Sequence, residues 1–179
     1  MSSPVIDLDL DLVARLSVGE GARRIAISGH RSFSPRTAAL VDQAIRNALA
    51  ARTRDITGIS CLADGADQIF ARAVTDLGGT LEVIVPASEY RDALPADSHP
   101  EYDNLIAKAG KVHRLGFTES TSESYMAAGE LMVDVADELY AVWDGEPARG
   151  YGGTADVVTY ARHHGIPIHI IWPNGATRD

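Results

Sequence analysis

Trp143-Asp144-Gly145-Glu146-Pro147-Ala148-Arg149-Gly150-Tyr151-Gly152-Gly153-Thr154-Ala155-Asp156 is the stretch that decides how this chain is read. The run before it, Leu139 to Trp143, reads as a buried strand, and the run after it, Asp156 to His164, reads as a helix. A glycine-rich turn between a buried strand and a helix start is a place where backbone N–H groups face an anion. The stretch therefore points to an α/β sheet and to a phosphorylated small molecule as its ligand.

The same alternation extends in both directions. Arg24 to Ser28 is a short apolar run, and Pro35 to Ala51 carries a helical stripe of Val41, Ala44, Ile45, Ala48 and Leu49. Ser34 is a good N-cap for that helix, with Pro35 at its first position. Ile56 to Leu62 reads as a strand, and Ala66 to Leu77 as a helix stopped by Gly78-Gly79. Leu81 to Val85 is a strand closed by Pro86, and Tyr102 to Ala109 a short helix. Lys111 to Leu115 alternates as an edge or one-sided strand would; Ser122 to Val135 is a helix and Ile166 to Trp172 a final strand. The runs 81–85, 139–143 and 168–172 suit strands buried on both faces. This pattern predicts a Rossmann-like α/β three-layer sandwich, a mostly parallel sheet with helices on both faces. With no internal repeat or linker, one domain is expected over residues 1–179, its ordered core about 20–173. The segments up to Leu16 and from Asn174 to Asp179 are expected to be loosely held.

Unusual residues fall where these strands end. Ser28-Gly29-His30-Arg31 follows the first strand, Ala63-Asp64-Gly65-Ala66-Asp67 the second, Pro86 to Arg91 the third, and the glycine turn the late one. In an open α/β sheet all four lie at the carboxyl edge, where ligands bind. Gly150, Gly152, Gly153 and Thr154 are candidates to cradle a phosphate, and Arg149 to pair with it; the plainer reading is tight packing of the turn. Gly29 would let a ligand approach the backbone, with Ser28, His30 and Arg31 around its anionic part. Asp64 and Asp67 either accept from ribose hydroxyls or serve as helix-start carboxylates. Asp144 is a candidate ribose ligand, a general acid/base or a turn cap, and Asp156 a helix-start carboxylate with a catalytic alternative. Tyr125 has a base-stacking reading beside a core one.

Composition narrows the partners. Of 179 residues 45% are hydrophobic and 23% charged, ordinary for a globular protein. No apolar run reaches the roughly 18 residues of a membrane span, and Met1 to Asp11 lacks the features of a signal peptide. A single cysteine, Cys61, fits a cytoplasmic setting and is expected to be buried rather than nucleophilic. A net charge of −9 argues against nucleic acid, because the basic residues form no evident patch. The scattered histidines give no metal-ligand spacing, and neither a nucleophile elbow nor a Walker A sequence is present. No cofactor is expected, and homo-oligomerisation is left open.

Taken together, Ser28-Gly29-His30-Arg31, Ala63-Asp64-Gly65-Ala66-Asp67, the strand Leu139 to Gly145, and Gly152-Gly153-Thr154 with Tyr160-Ala161 resemble the SLOG superfamily, from about Arg24 to Pro173. That superfamily groups DprA, the LOG phosphoribohydrolases and YpsA-like proteins, and the resemblance implies a Rossmann-like fold and a nucleotide-derived ligand. The late segment is also similar to nucleoside deoxyribosyltransferases. In both enzyme groups a catalytic glutamate stands three residues past the threonine, and here that position is Val157. Asp156 lies one residue early, about 100° round the helix. Three functions follow: a nucleotide-binding module or sensor, an N-glycosidic hydrolase or transferase acting on nucleoside monophosphates, and an interaction scaffold with a vestigial pocket.

Overall fold

The computed structural model describes residues 21–52 and 55–178; the segment up to Leu16, expected to be loosely held, lies outside them, as does Asp179. The strands are β1 (Arg23–Gly29), β2 (Ile56–Ser60), β3 (Thr80–Ala87), β4 (Lys111–Phe117), β5 (Glu138–Val142) and β6 (Ile168–Ile171). Between them run α1 (Pro35–Ala50), α2 (Ala66–Asp76), the short α3 (Tyr90–Ala93), α4 (His99–Lys108), α5 (Ser122–Asp134) and α6 (Thr154–His163). All six strands form one parallel sheet in the order β4-β3-β2-β1-β5-β6. This is the Rossmann-like architecture the alternation predicts.

Strands β1 to β4 are added in one direction across the sheet. β5 then returns to the free side of β1, and β6 is added beyond it. Connections from β1 and β5 therefore leave toward opposite faces, and the gap between them is a crevice at the carboxyl ends of those two strands.

Alternation along the central strands explains why they read as continuous apolar runs. Ile25, Ile27, Tyr140 and Val142 pack with Val41, Ile45 and Leu49 of α1 and Ile69, Phe70 and Val74 of α2. Ala26, Leu139 and Ala141 belong to the other cluster, with Ala128, Met132 and Val133 of α5 and Val157, Val158 and Ala161 of α6. Successive residues serve opposite faces, so both parities must be apolar. Helix α1 starts as its sequence indicates, with the Thr37 N–H donating to Ser34 Oγ at 3.2 Å and Pro35 in the first turn.

Three local expectations need correction. Pro86 does not end β3: the strand continues to Ala87, with a register shift against β4 between Val85 and Ala87. A proline, lacking an N–H, is tolerated at such an irregularity. Strand β6 is not buried on both sides. Among the described residues it is the edge strand, with β5 as its one neighbour, and its Ile170 is 48% exposed. The tail after Asn174 is also better held than its composition suggests. The Thr177 N–H donates to Thr37 Oγ1 at 3.1 Å, and Arg178 reaches Asp144.

Gly29 closes β1 where, of the described glycines, an added Cβ would meet its neighbours most closely. A Cβ there would lie 2.4 Å from Ala66 Cβ and 2.8 Å from Val142 Cβ, between the start of α2 and the end of β5. The sequence reading assigned this glycine to ligand approach; packing alone already requires it. Gly29→Ala is expected to lower stability by about 3 kcal/mol, read as a lower urea midpoint with unchanged slope.

Candidate functional site

The loop after β1 is fastened to the loop after β5. The His30 N–H donates to Val142 O at 3.1 Å, extending the β1–β5 ladder by one residue. The buried His30 ring sits with Nε2 3.0 Å from Asp144 Oδ1 and 3.2 Å from the Asp144 amide nitrogen. Its edge rests on Trp172, ring centres 5.5 Å apart. Desolvation lowers the His30 pKa below its usual value, against the pull of Asp144. Burial acts to raise the Asp144 carboxyl, but the Glu146 N–H, His30 and Arg178 outweigh it and hold it below the usual carboxylate range. Asp144 also caps its own turn, accepting from the Glu146 N–H at 3.0 Å. Its turn-cap reading is the one the geometry fits.

Arg31 is held by Asp64. Both Nε and Nη2 lie on Asp64 Oδ1, at 2.7 and 2.6 Å, and Ser32 Oγ donates to Asp64 Oδ2 at 3.2 Å. These bonds fix the direction of the Arg31 guanidinium.

The glycine turn is folded partly on itself. The Gly152 N–H donates to Asp156 Oδ2 at 2.8 Å, and the Gly153 N–H to Gly150 O at 3.3 Å. Gly152 has a φ of 84°, and a Cβ there would lie 2.8 Å from Ser122 O at the start of α5. Two of the amides expected to face a ligand are thus already satisfied, and Asp156 is engaged in satisfying one. What remains is the first turn of α6. Thr154 and Ala155 show no backbone hydrogen bond from their N–H groups among the described residues. Such amides at a helix start attract negative charge.

Two joined hollows occupy the crevice between these loops. The outer one, about 490 Å³, is lined among others by His30, Arg31, Arg149, Arg178, Tyr151 and Thr154, with Gly150 in its wall. The inner one, about 140 Å³, is lined among others by Ser28, Cys61, Asp67, Tyr90, Met132 and Val157. Gly29, Arg31, Tyr125, Gly152, Gly153 and Thr154 border both. Of the twelve binding candidates read from the sequence, ten therefore line this cleft. Asp64 and Asp144 line neither hollow, and nor does Asp156; each is tied to a loop the cleft depends on. Tyr90, Met132 and Arg178 escaped the sequence reading. Tyr90 opens α3, within the segment after β3 already placed at this edge, whereas Arg178 comes from the tail and carries no motif.

Two acidic residues line the cleft, Glu146 the outer hollow and Asp67 the inner one. Asp67 is 7% exposed, and burial drives its pKa from 3.8 to about 7. Its carboxylate accepts from backbone N–H groups, Ala63 at 3.4 Å and Cys61. Burial also pushes the Cys61 thiol and the Tyr90 phenol well up, so both are protonated near neutral pH. Among the described residues no cluster of His, Cys, Asp and Glu could hold a metal ion, and no helix is long and apolar enough to cross a membrane.

No family model matches the sequence, and no curated protein does. Solved structures match through the fold. DNA processing protein A (DprA) from Streptococcus pneumoniae superposes with a TM-score of 0.62 at 17% identity, covering 93% of this chain and 54% of that one. The chain has the Rossmann-like fold of DprA. It spans about half the length of the S. pneumoniae protein. DprA from Helicobacter pylori, whose structure is described by its single-stranded DNA binding mode, gives 0.62 at 17% identity over 87% of this chain and 68% of that one. A molybdenum cofactor binding protein from Rippkaea orientalis gives 0.54 at 14% identity over 84% and 76%. Likeness at these identities shows the fold. DprA is among the proteins the sequence motifs resembled, and the expectation against nucleic acid draws no support from this match.

Asp67 makes stability depend on pH in a defined sense. The unfolded carboxyl titrates near 3.8 and the folded one near 7, so its contribution is fully present below about pH 4 and is lost as pH rises through 7. Asp67→Asn removes this loss. The variant is expected to exceed the natural protein in stability by on the order of 3 kcal/mol at pH 8, with the difference shrinking toward pH 4 in urea titrations.

Proposed function

We propose that the protein binds a nucleotide or nucleotide-derived anion in the crevice between β1 and β5, as a binding or sensing module. The observation that carries this reading is the convergence of Arg31, Arg149 and Arg178 with the first turn of α6 around one cleft of about 490 Å³. A net charge of −9 makes such a local concentration of arginines informative. The volume suits a small phosphorylated ligand. In this reading Arg31 and Arg149 pair with phosphate oxygens, and the Thr154 hydroxyl and the α6 amides donate to them. Gly150, Gly152 and Gly153 shape the wall, Ser28 and Gly29 line its floor, and His30 with Asp144 holds the two loops in register. The neighbours support ligand binding in general: the R. orientalis protein is described as binding molybdenum cofactor and the H. pylori protein as binding single-stranded DNA.

Binding is favoured over N-glycosidic catalysis by the engagement of the carboxylates. Asp144 and Asp156 both hold loops and stand outside the cleft lining, and Val157 occupies the position of the expected glutamate. Calorimetry with AMP, GMP, CMP and UMP tests the reading. At least one is expected to bind, and Arg31→Ala to weaken it roughly 10- to 100-fold, the loss of a charge-assisted contact of about 1.5–3 kcal/mol. Absence of binding by all four, or binding indifferent to Arg31→Ala, would sink it. Release of free base during the incubation would restore the enzyme reading.

A further inference from the structure

The cleft has chemically opposite ends. Its outer part gathers Arg31, Arg149 and Arg178 with one acidic residue, Glu146, while its inner end has Tyr90, Tyr125, Met132 and Val157 around one buried carboxyl, Asp67, with Arg31 at the border of the two. A carboxyl placed there is costly unless something uses it. As a helix-start residue it could have been partly solvated, as the half-buried Asp156 is. Instead α2 begins beneath the loop after β1, with the Ala66 N–H donating to His30 O at 3.2 Å, and this puts Asp67 inside.

We propose that the inner hollow is a subsite for the uncharged end of the anionic ligand, in which the Asp67 carboxylate accepts a hydrogen bond from a ligand hydroxyl or N–H. This rests on the binding reading above and adds the ligand's chemistry: an anion at one end and a hydrogen-bond donor at the other, a small apolar-faced ring or sugar between them.

The groups around Asp67 are suited to that task. The loop after β2 supplies the Ala63 and Cys61 N–H groups, which serve the ionised form. Cys61 and Tyr90 are protonated, and Tyr125 stands edge-on to Tyr90 with ring centres 5.9 Å apart. Arg31, whose charge is felt at Asp67, is fastened to Asp64 and shows no direct contact with Asp67. The carboxyl thus has donors beside it and, among the described residues, no paired cation, which leaves accepting capacity for an incoming donor. An incoming donor favours the carboxylate over the acid. With the carboxyl titrating near 7, binding draws the equilibrium toward ionisation and strengthens as pH rises from 6 to 8.

Calorimetry on the full chain with three probes tests this. Inorganic phosphate presents the anion alone, ribose 5-phosphate adds sugar hydroxyls, and GMP adds base N–H groups. The expected result is that ribose 5-phosphate or GMP binds about tenfold or more tighter than phosphate, and that this excess grows severalfold between pH 6 and pH 8. Asp67→Asn, nearly identical in shape, is expected to remove both the excess and its pH dependence while phosphate binding stays as it was. A gain already present with ribose 5-phosphate assigns the donor to the sugar; a gain confined to GMP assigns it to the base. Equal binding of these ligands by the natural protein and Asp67→Asn overturns the inference, as does phosphate binding with no added affinity for either larger probe. Failure of all three to bind the natural protein defeats the binding reading itself, and this inference with it.

Discussion

The cleft depends on one contact, the parallel pairing of β1 with β5 that ends with Gly29 opposite Val142. Because β5 returns beside the first strand, the chain reverses the direction in which strands are added, and the loops leaving β1 and β5 part company there. The pairing admits no side chain on Gly29, since Ala66 and Val142 close on it from two sides. Beyond the last backbone bond, His30 and Asp144 continue the connection through side chains, and Arg178 joins from the tail. Loss of this junction would separate the elements that carry Arg31, Asp67 and Thr154.

Electrostatically the site works against the rest of the molecule. A chain with a net charge of −9 gathers three arginines and a helix start around one cleft, and three nearby carboxylates serve to hold its loops. Asp64 aims Arg31, Asp144 fixes its own turn and meets Arg178, and Asp156 closes the glycine turn. Asp67 alone among these carboxyls is turned into the cleft, where burial keeps it close to its titration point at neutral pH. A ligand with an anionic head and a donor-bearing tail matches both ends.

The fold was legible because β1, β3 and β5 are apolar at both parities, a consequence of burying both faces of a parallel strand. β6 misled for the same reason in reverse: Ile168, Ile170 and Ile171 are apolar, yet an edge position leaves Ile170 uncovered. The glycines were legible as special but not in their purpose. Gly29 and Gly152 answer to backbone and side-chain atoms tens of residues away, which spacing along the chain does not reveal. Likewise Asp67 and Asp156 occupy similar helix-start positions in sequence, and only tertiary packing separates a buried carboxyl in the cleft from one that closes a turn. Arg178 had no local pattern at all; the tail returns it through Thr177 and Thr37.

Amide NMR of this 19.1 kDa chain during titration with the tightest-binding mononucleotide addresses the central claim most directly. Binding in the β1–β5 crevice predicts the largest saturable shifts at Gly29 to Arg31, at Ala63 and Asp67, and from Gly150 to Val157, with little change at the amino ends of the strands. Saturable shifts centred elsewhere, or shifts that spare the first turn of α6, would contradict it.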